Sequence, residues 1–172
     1  SCLERPPAMN DVANGLRGPI ECYALRYEDL LNVFCNGKLS ECNWAALQAH
    51  RDVAAQKEHR LVACANQDTK CYALRYPDLR AAYCSSTQYP DLSCDYRALL
   101  VHWAEHGRAQ GLQLDCATPD VVCYAQRNPD LRQYFCQNGY DDDSLEHCMW
   151  PGILDNMLGA GSAEGRPMGC ES

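Results

Sequence analysis

Residues 102 to 106 read His102-Trp103-Ala104-Glu105-His106, two histidines one helical turn apart with a carboxylate beside the second. On a helix, that H-x-x-E-H spacing lets both imidazoles face one zinc ion, with Glu105 as general base for an attacking water. Hydrolysis by this route also needs a third protein ligand and an open cleft, and Gly107 follows at once, where a helix tends to end. The equivalent positions elsewhere are His50 with Ala54 and Asn156 with Ala160, neither of them a metal-binding pair. The expectation is a packing role for Trp103 and a polar role for the histidines. A zinc hydrolase built on His102, Glu105 and His106 is the remote alternative.

Two further arrangements carry possible chemistry. Asp141-Asp142-Asp143 has the charge to attract Ca²⁺, but without the alternating ligands and glycine of an EF-hand loop it reads as an acidic, solvated loop. Arg26, Arg75 and Arg127 stand three residues before Asp29, Asp78 and Asp130. With Tyr72 and Tyr76 beside them, such arginines suit a sugar-binding clamp. The simpler expectation is a structural Arg–Asp pair on one helix face.

The elements that would position these residues are marked out by cysteine. Cys22, Cys35, Cys42 and Cys64 give C-x12-C-x6-C-x21-C, and the formula returns through Cys71, Cys84, Cys94 and Cys116 and through Cys123, Cys136, Cys148 and Cys170. Only the middle spacer changes, to 9 and then 11 residues, and the periods are 49 and 52 residues. Periods of this size mark repeat architecture. Constant segments flanking a variable spacer read as two fixed elements joined by a tolerant loop. The predicted organisation is an extension over 1–21, then repeats over 22–64, 71–116 and 123–170.

Inside the first constant segment Tyr72, Tyr76, Leu79 and Tyr83 recur at helical spacing, matched by Tyr23, Tyr27, Leu30 and Phe34 and by Tyr124, Asn128, Leu131 and Phe135. Pro77 and Pro129 start a second short helix there, with Asn128 as N-cap and Asp130 in an acidic first turn. The first copy has Glu28 in place of proline, so its helix is expected to run through. In the second segment Tyr96, Leu99, Leu100 and Trp103 form a stripe matched by Trp150, Ile153, Leu154 and Met157, while the first copy keeps Trp44 and Leu47 but has Gln48 and Arg51. Gly107, Gly111, Gly161 and Gly165 suggest left-handed C-caps and a chain reversal. The first copy has Ala55 and His59 instead, so its second helix is expected to be longer. The predicted fold class is all-α, three tandem disulfide-stapled αα-hairpin repeats of about 50 residues. A single hairpin of this size buries too little surface to stand alone.

Cysteines 13 positions apart on one continuous helix lie about 19 Å apart, beyond disulfide reach. Second with third is the natural loop staple: Cys35–Cys42, Cys84–Cys94 and Cys136–Cys148. Two registers remain for the others. In one, Cys22–Cys64, Cys71–Cys116 and Cys123–Cys170 close each copy, leaving Cys2 unpaired or intermolecular. In the other, Cys64–Cys71 and Cys116–Cys123 staple neighbours, Cys2 takes Cys22, and Cys170 is left over. The first is preferred because it makes each copy self-contained.

Composition bounds the function. Net charge is −8, and the basic residues, all arginine except Lys38, Lys57 and Lys70, form no run of the kind nucleic acid demands. No apolar stretch approaches the roughly 20 residues that span a bilayer. The first residues have no signal-peptide core, so an exported protein would be present here in mature or trimmed form. Thirteen cysteines without a C-x-x-C pair argue for structural disulfides in an oxidising compartment. There is no Asn-x-Ser/Thr acceptor, phosphate loop or nucleophile elbow, and no cofactor is implied.

The order Tyr72-x-x-Arg75-Tyr76-Pro77-Asp78-Leu79, then His102-Trp103, His106 and Gly107, with Ala163-Glu164-Gly165-Arg166 supplying the end of the pattern, resembles a short helical repeat of cyanobacterial and microalgal proteins. That repeat is often exported and often in tandem. The resemblance spans 22–170, although the first copy lacks the proline and glycines and the third lacks His-Trp; the cysteine frame is an addition to it. It implies a helical array and no catalytic role. The function expected is that of a non-enzymatic structural or assembly protein, acting through its surface on the protein subunits of a larger assembly or on itself. Its setting would be an extracellular wall, fibril or matrix, or an oxidising organelle lumen such as the thylakoid lumen, where it could cap a membrane complex such as a photosynthetic one. The alternative is a carbohydrate-binding module that uses Arg26, Arg75, Arg127, Tyr72 and Tyr76.

Overall fold

A computed structural model of the chain describes residues 18–136, 148–168 and 170. Cys2, most of the 1–21 extension and the Asp141–Asp143 run lie outside the described residues. Among those described are nine α-helices and one short antiparallel strand pair.

Each copy of the first constant segment is two short helices meeting at a single extended residue. Helices α1 (Gly18–Arg26) and α2 (Glu28–Cys35) meet at Tyr27, with φ −115° and ψ 109°. Tyr76 joins α4 (Gln67–Arg75) to α5 (Pro77–Tyr83), and Asn128 joins α7 (Pro119–Arg127) to α8 (Pro129–Phe135). A residue before proline is pushed out of the helical region, which accounts for Tyr76 and Asn128. It does not account for Tyr27, which precedes Glu28. The expectation that the first helix runs through is therefore corrected: the break forms without proline, held from outside by contacts described below.

The second constant segments begin α3 (Trp44–Ala54), α6 (Tyr96–His102) and α9 (Trp150–Asn156). Asn43 and Asp95 cap α3 and α6, each side-chain oxygen accepting a backbone N–H of the first turn, from Ala46 and Ala98. Helices α6 and α9 widen at their ends into π turns, Trp103–Gly107 and Met157–Gly161. Helix α3, 11 residues against 7 each for α6 and α9, is the longer α-helix as expected, although the π turns carry its two counterparts on by 5 residues each. All three copies then reverse at the fifth residue before their last cysteine, through His59 (φ 55°), Gly111 (75°) and Gly165 (78°). Gly107 and Gly161, expected to share the left-handed role, are instead buried inside the π turns. At Gly161 a Cβ would fall 1.7 Å from the Tyr124 hydroxyl oxygen, so glycine there serves close approach rather than chain reversal.

Six disulfides join the described cysteines. Cys22–Cys64, Cys71–Cys116 and Cys123–Cys170, with Cα separations of 5.1, 5.3 and 5.0 Å, tie the segment after α3, α6 or α9, here called the tail, to the first helix of the same copy. Cys35–Cys42, Cys84–Cys94 and Cys136–Cys148 close the variable loops. In the second copy that loop is a hairpin of β1 (Cys84–Ser86) and β2 (Ser93–Cys94), with its cysteines directly opposite; Cys136 and Cys148 also form an antiparallel bridge. On a chain-entropy account the long closures contribute about 4 kcal/mol each and the short ones about 2.5–3 kcal/mol.

The described residues divide into two compact units, one of residues 18–66 with 95–112 and the other of residues 67–94 with 113–136, 148–168 and 170. The division does not follow the copy boundaries. In the first unit α1 packs on both α3 and α6, and its core gathers Ile20, Tyr23, Leu30, Leu31, Leu47 and Ala55. Helix α6 is fastened to α1 at both ends: Arg97 pairs with Glu21 at 2.5 Å, and Arg108 donates to the Leu25 and Arg26 carbonyls at 3.0 and 3.2 Å. A cation on the last carbonyls of α1 also suits the negative end of its dipole. In the second unit α9 packs on α4, α7 and α8. There a Cβ on Gly152 would fall 2.3 Å from the Phe135 ring.

His59 is the non-glycine member of the three reversal residues, and a left-handed L-residue costs about 1 kcal/mol or more. Changing His59 to Gly is therefore expected to raise the calorimetric melting temperature by about 2–4 °C, the range a gain of this size gives a chain of this length. An unchanged or lower melting temperature would show that His59 sits there without strain.

Candidate functional site

Arg26, Arg75 and Arg127 each end a helix, and each turns its guanidinium on a tail carbonyl of its own copy. Arg26 donates to the Leu61 and Cys64 carbonyls at 3.3 and 3.4 Å, Arg75 to that of Gln113 at 2.8 Å, and Arg127 to that of Cys170. The tyrosine that follows supplies the complementary contact. Tyr27 Oη accepts the Leu61 N–H at 2.6 Å and Tyr76 Oη accepts the Gln113 N–H at 2.8 Å. One tail residue, the third before the last cysteine, is thus gripped at both its N–H and its C=O. The third copy has Pro167 at that position, with no N–H to offer, and Asn128 where the tyrosine would be. Asn128 instead donates to the Tyr124 carbonyl at 2.7 Å and accepts from Arg166 at 2.9 Å, so it stands at the N-cap position without capping α8.

The Arg–Asp pairs expected from the three-residue spacing do not form. An i, i+3 pair requires continuous helix, and the extended residue between Arg26 and Asp29, or between Arg127 and Asp130, turns the two side chains apart. Asp29 receives Arg60 in a two-pronged contact of 2.9 and 2.7 Å, and Asp130 receives Arg166 at 3.1 and 3.0 Å. Both tail arginines also take a neighbouring glutamate, Glu58 or Glu164, and Arg60 lies 4.8 Å above the Tyr27 ring. These contacts reach across the break in the first copy and supply, without proline, what holds Tyr27 extended. The second copy has Leu112 in place of the tail arginine.

The tyrosine one residue after each first cysteine, Tyr23, Tyr72 and Tyr124, is fully buried. Tyr23 Oη meets His50 Nδ1 at 3.0 Å, and Tyr124 donates to Asn156 Oδ1 at 2.7 Å. Burial pushes the pKa of all three phenols up, so they remain protonated hydrogen-bonding groups. Tyr72 therefore offers no surface to a sugar, and the half-buried Tyr76 uses its hydroxyl on the tail. Arg75 is the more exposed counterpart of Arg26, yet its Nη2 is buried and finds no acceptor among the described residues. Desolvation lowers its pKa.

His102, Glu105 and His106 straddle the end of α6 and its π turn. The imidazoles lie 5.5 Å apart with their planes tilted by 52°, and His106 Nε2 is 3.9 Å from Glu105 Oε2, both side chains well exposed. Among the described residues no group of three or more His, Cys, Asp or Glu is placed to hold a metal ion. The twelve described cysteines are all in disulfides, so none presents a thiolate.

The tail clasp generates two expectations. Arg60→Ala should cost about 1 kcal/mol in thermal unfolding at neutral pH, a value kept low because Asp29 is solvent-exposed; no loss would show the clasp to be decorative. Hydrogen bonds from Arg60 hold the Asp29 carboxyl below its ordinary 3.8, and Arg166 does the same for Asp130. A depressed folded pKa contributes stability above the unfolded value, and that contribution disappears as pH falls through the folded one. The melting-temperature gap between wild type and Arg60→Ala should thus be full at neutral pH and close well below pH 3.8; a gap unchanged in acid would mean the arginine acts through its packing on Tyr27.

The chain matches no protein-family model, no curated protein and no solved structure.

Proposed function

We propose that this chain is a non-enzymatic structural protein, three tandem disulfide-stapled αα-hairpin repeats whose surface serves as a subunit of a larger protein assembly. The observation that carries the reading is the tail grip. The side chains that recur in the copies and could have done chemistry, Arg26, Arg75, Arg127, Tyr27 and Tyr76, are engaged with their own backbone. A repeat that uses its polar groups to hold its shape is suited to present a fixed surface. The setting proposed is exported or lumenal, since six disulfides suit an oxidising compartment. None of the described helices is long and apolar enough to cross a membrane. Within that setting the reading covers an extracellular wall, fibril or matrix component and a lumenal subunit seated on a membrane complex, in line with the resemblance to cyanobacterial and microalgal repeats.

The deciding experiment is affinity isolation of the chain from native extract of the cells that make it, followed by native gel analysis and identification of what accompanies it. A stable complex of high mass with defined protein partners is expected. A partnerless monomer would overturn the assembly reading. In the same preparation, glycan-array binding abolished by Arg75→Ala with an unchanged circular dichroism spectrum would support the carbohydrate alternative, and stoichiometric zinc lost from His106→Ala would support a hydrolase.

A further inference from the structure

Both units contain the same pairing: the first helix of one copy lies against the last helix of the following copy, α1 with α6 and α4 with α9. In the first unit the two helices run parallel. Glu21 early in α1 meets Arg97 early in α6, and the carbonyls ending α1 meet Arg108 beyond α6. Leu25, four residues past Glu21, and Leu100, three past Arg97, fall on the same helix faces as that ion pair. They are 3% and 0% exposed. The second unit repeats the arrangement. The Trp150 N–H donates to Gln67 Oε1 at 3.0 Å at the start of the helices, and Leu74 and Leu154 follow one or two turns on, 2% and 0% exposed.

Leu25 and Leu74 occupy the third position after the first cysteine of their copies, where the third copy has Gln126. Leu100 and Leu154 occupy the sixth position after the third cysteine, where the first copy has Gln48. Both glutamines are exposed. They stand on the two helices, α7 and α3, that do not take part in this pairing. Other features of α7 agree. Cys22 and Cys71 are wholly buried while Cys123 is partly open, and the last turn of α7 is met from within its own copy, by Asn128 on the Tyr124 carbonyl, whereas the Leu25 and Arg26 carbonyls of α1 are met by Arg108 of the next copy.

We infer that Gln48 and Gln126 close the α3 and α7 faces against a second copy of this chain, which would otherwise seat its α3 on α7 as α6 seats on α1. Such a contact is head-to-tail, and a heterologous contact that does not close on itself propagates into open chains. Two polar residues at the matching positions stop that growth. The inference rests on the repeat reading above and fails separately from the assembly reading. A chain with foreign partners and silent ends satisfies both; a chain without partners still has its ends to test.

The test is sedimentation velocity over a concentration series with Gln48→Leu, Gln126→Leu and the double variant. Wild type and each single variant are expected to sediment as monomers, because each single variant opens only one side of the contact. A mixture of the two singles should give a one-to-one dimer, associating at least about a hundredfold more tightly than wild type with itself, as burying two added leucines implies. The double variant should form chains that lengthen with concentration. A folded double variant that stays monomeric, together with singles that do not combine, overturns the inference; so does wild type that already self-associates with α3 and α7 protected from hydrogen exchange. Should the leucine variants fail to fold, Gln48→Met and Gln126→Met carry the same mixing test, methionine being a good helix former with an apolar side chain.

Discussion

A single tail residue, taken at its N–H by a tyrosine hydroxyl and at its C=O by an arginine, is the contact point on which the geometry of the first two copies depends. It docks the returning tail onto the joint between two short helices and places the last cysteine beside the first. Leu61 and Gln113 are themselves exposed, so each of these bonds contributes about 1 kcal/mol net, and their value lies in fixing where the tail returns. Side chains here do the work that a neighbouring strand does in a sheet.

That arrangement suits a chain with little apolar mass. Phe occurs twice in 172 residues, and the largest wholly buried side chains are tyrosines whose hydroxyls need partners. Tyr23 and Tyr124 find them in His50 and Asn156, and Gly161 leaves room for the Tyr124 oxygen. A core of this kind is specified by hydrogen-bond geometry as much as by volume, because an unsatisfied hydroxyl in such a place is expensive. Disulfides then limit the unfolded ensemble in a way a small core does not achieve.

The helices, the variable loops and the returning tail were legible because cysteine spacing, aromatic periodicity and glycine all act locally. The partners of the arginines were not. Spacing of three residues implies a pair only if the helix is continuous, and Tyr27 interrupts it with no proline to announce the fact. Arg166 is marked by the Glu164-Gly165-Arg166 pattern, but Leu112 stands in its place in the second copy, so the shared positions do not match it or Arg60 to the aspartates. The signal that would have found the grip is paired change: Asn128 replaces tyrosine in the one copy whose tail offers Pro167. The π turns have no comparable local mark. Gly161 reads from the sequence as a left-handed cap, whereas its reason lies in Tyr124, 37 residues earlier in the chain.

The first-to-fourth disulfides make each copy a closed covalent ring, with a smaller ring inside it at the variable loop. A peptide bond broken anywhere within 22–64, 71–116 or 123–170 leaves its two halves joined through sulfur. Between the copies, the linking segments 65–70 and 117–122 are crossed by none of these bonds, and α4 and α7 begin within them at Gln67 and Pro119. In a protease-rich environment each copy therefore stays covalently whole after a single nick, and the two links where one cut would separate a copy from the next are largely wound into helix.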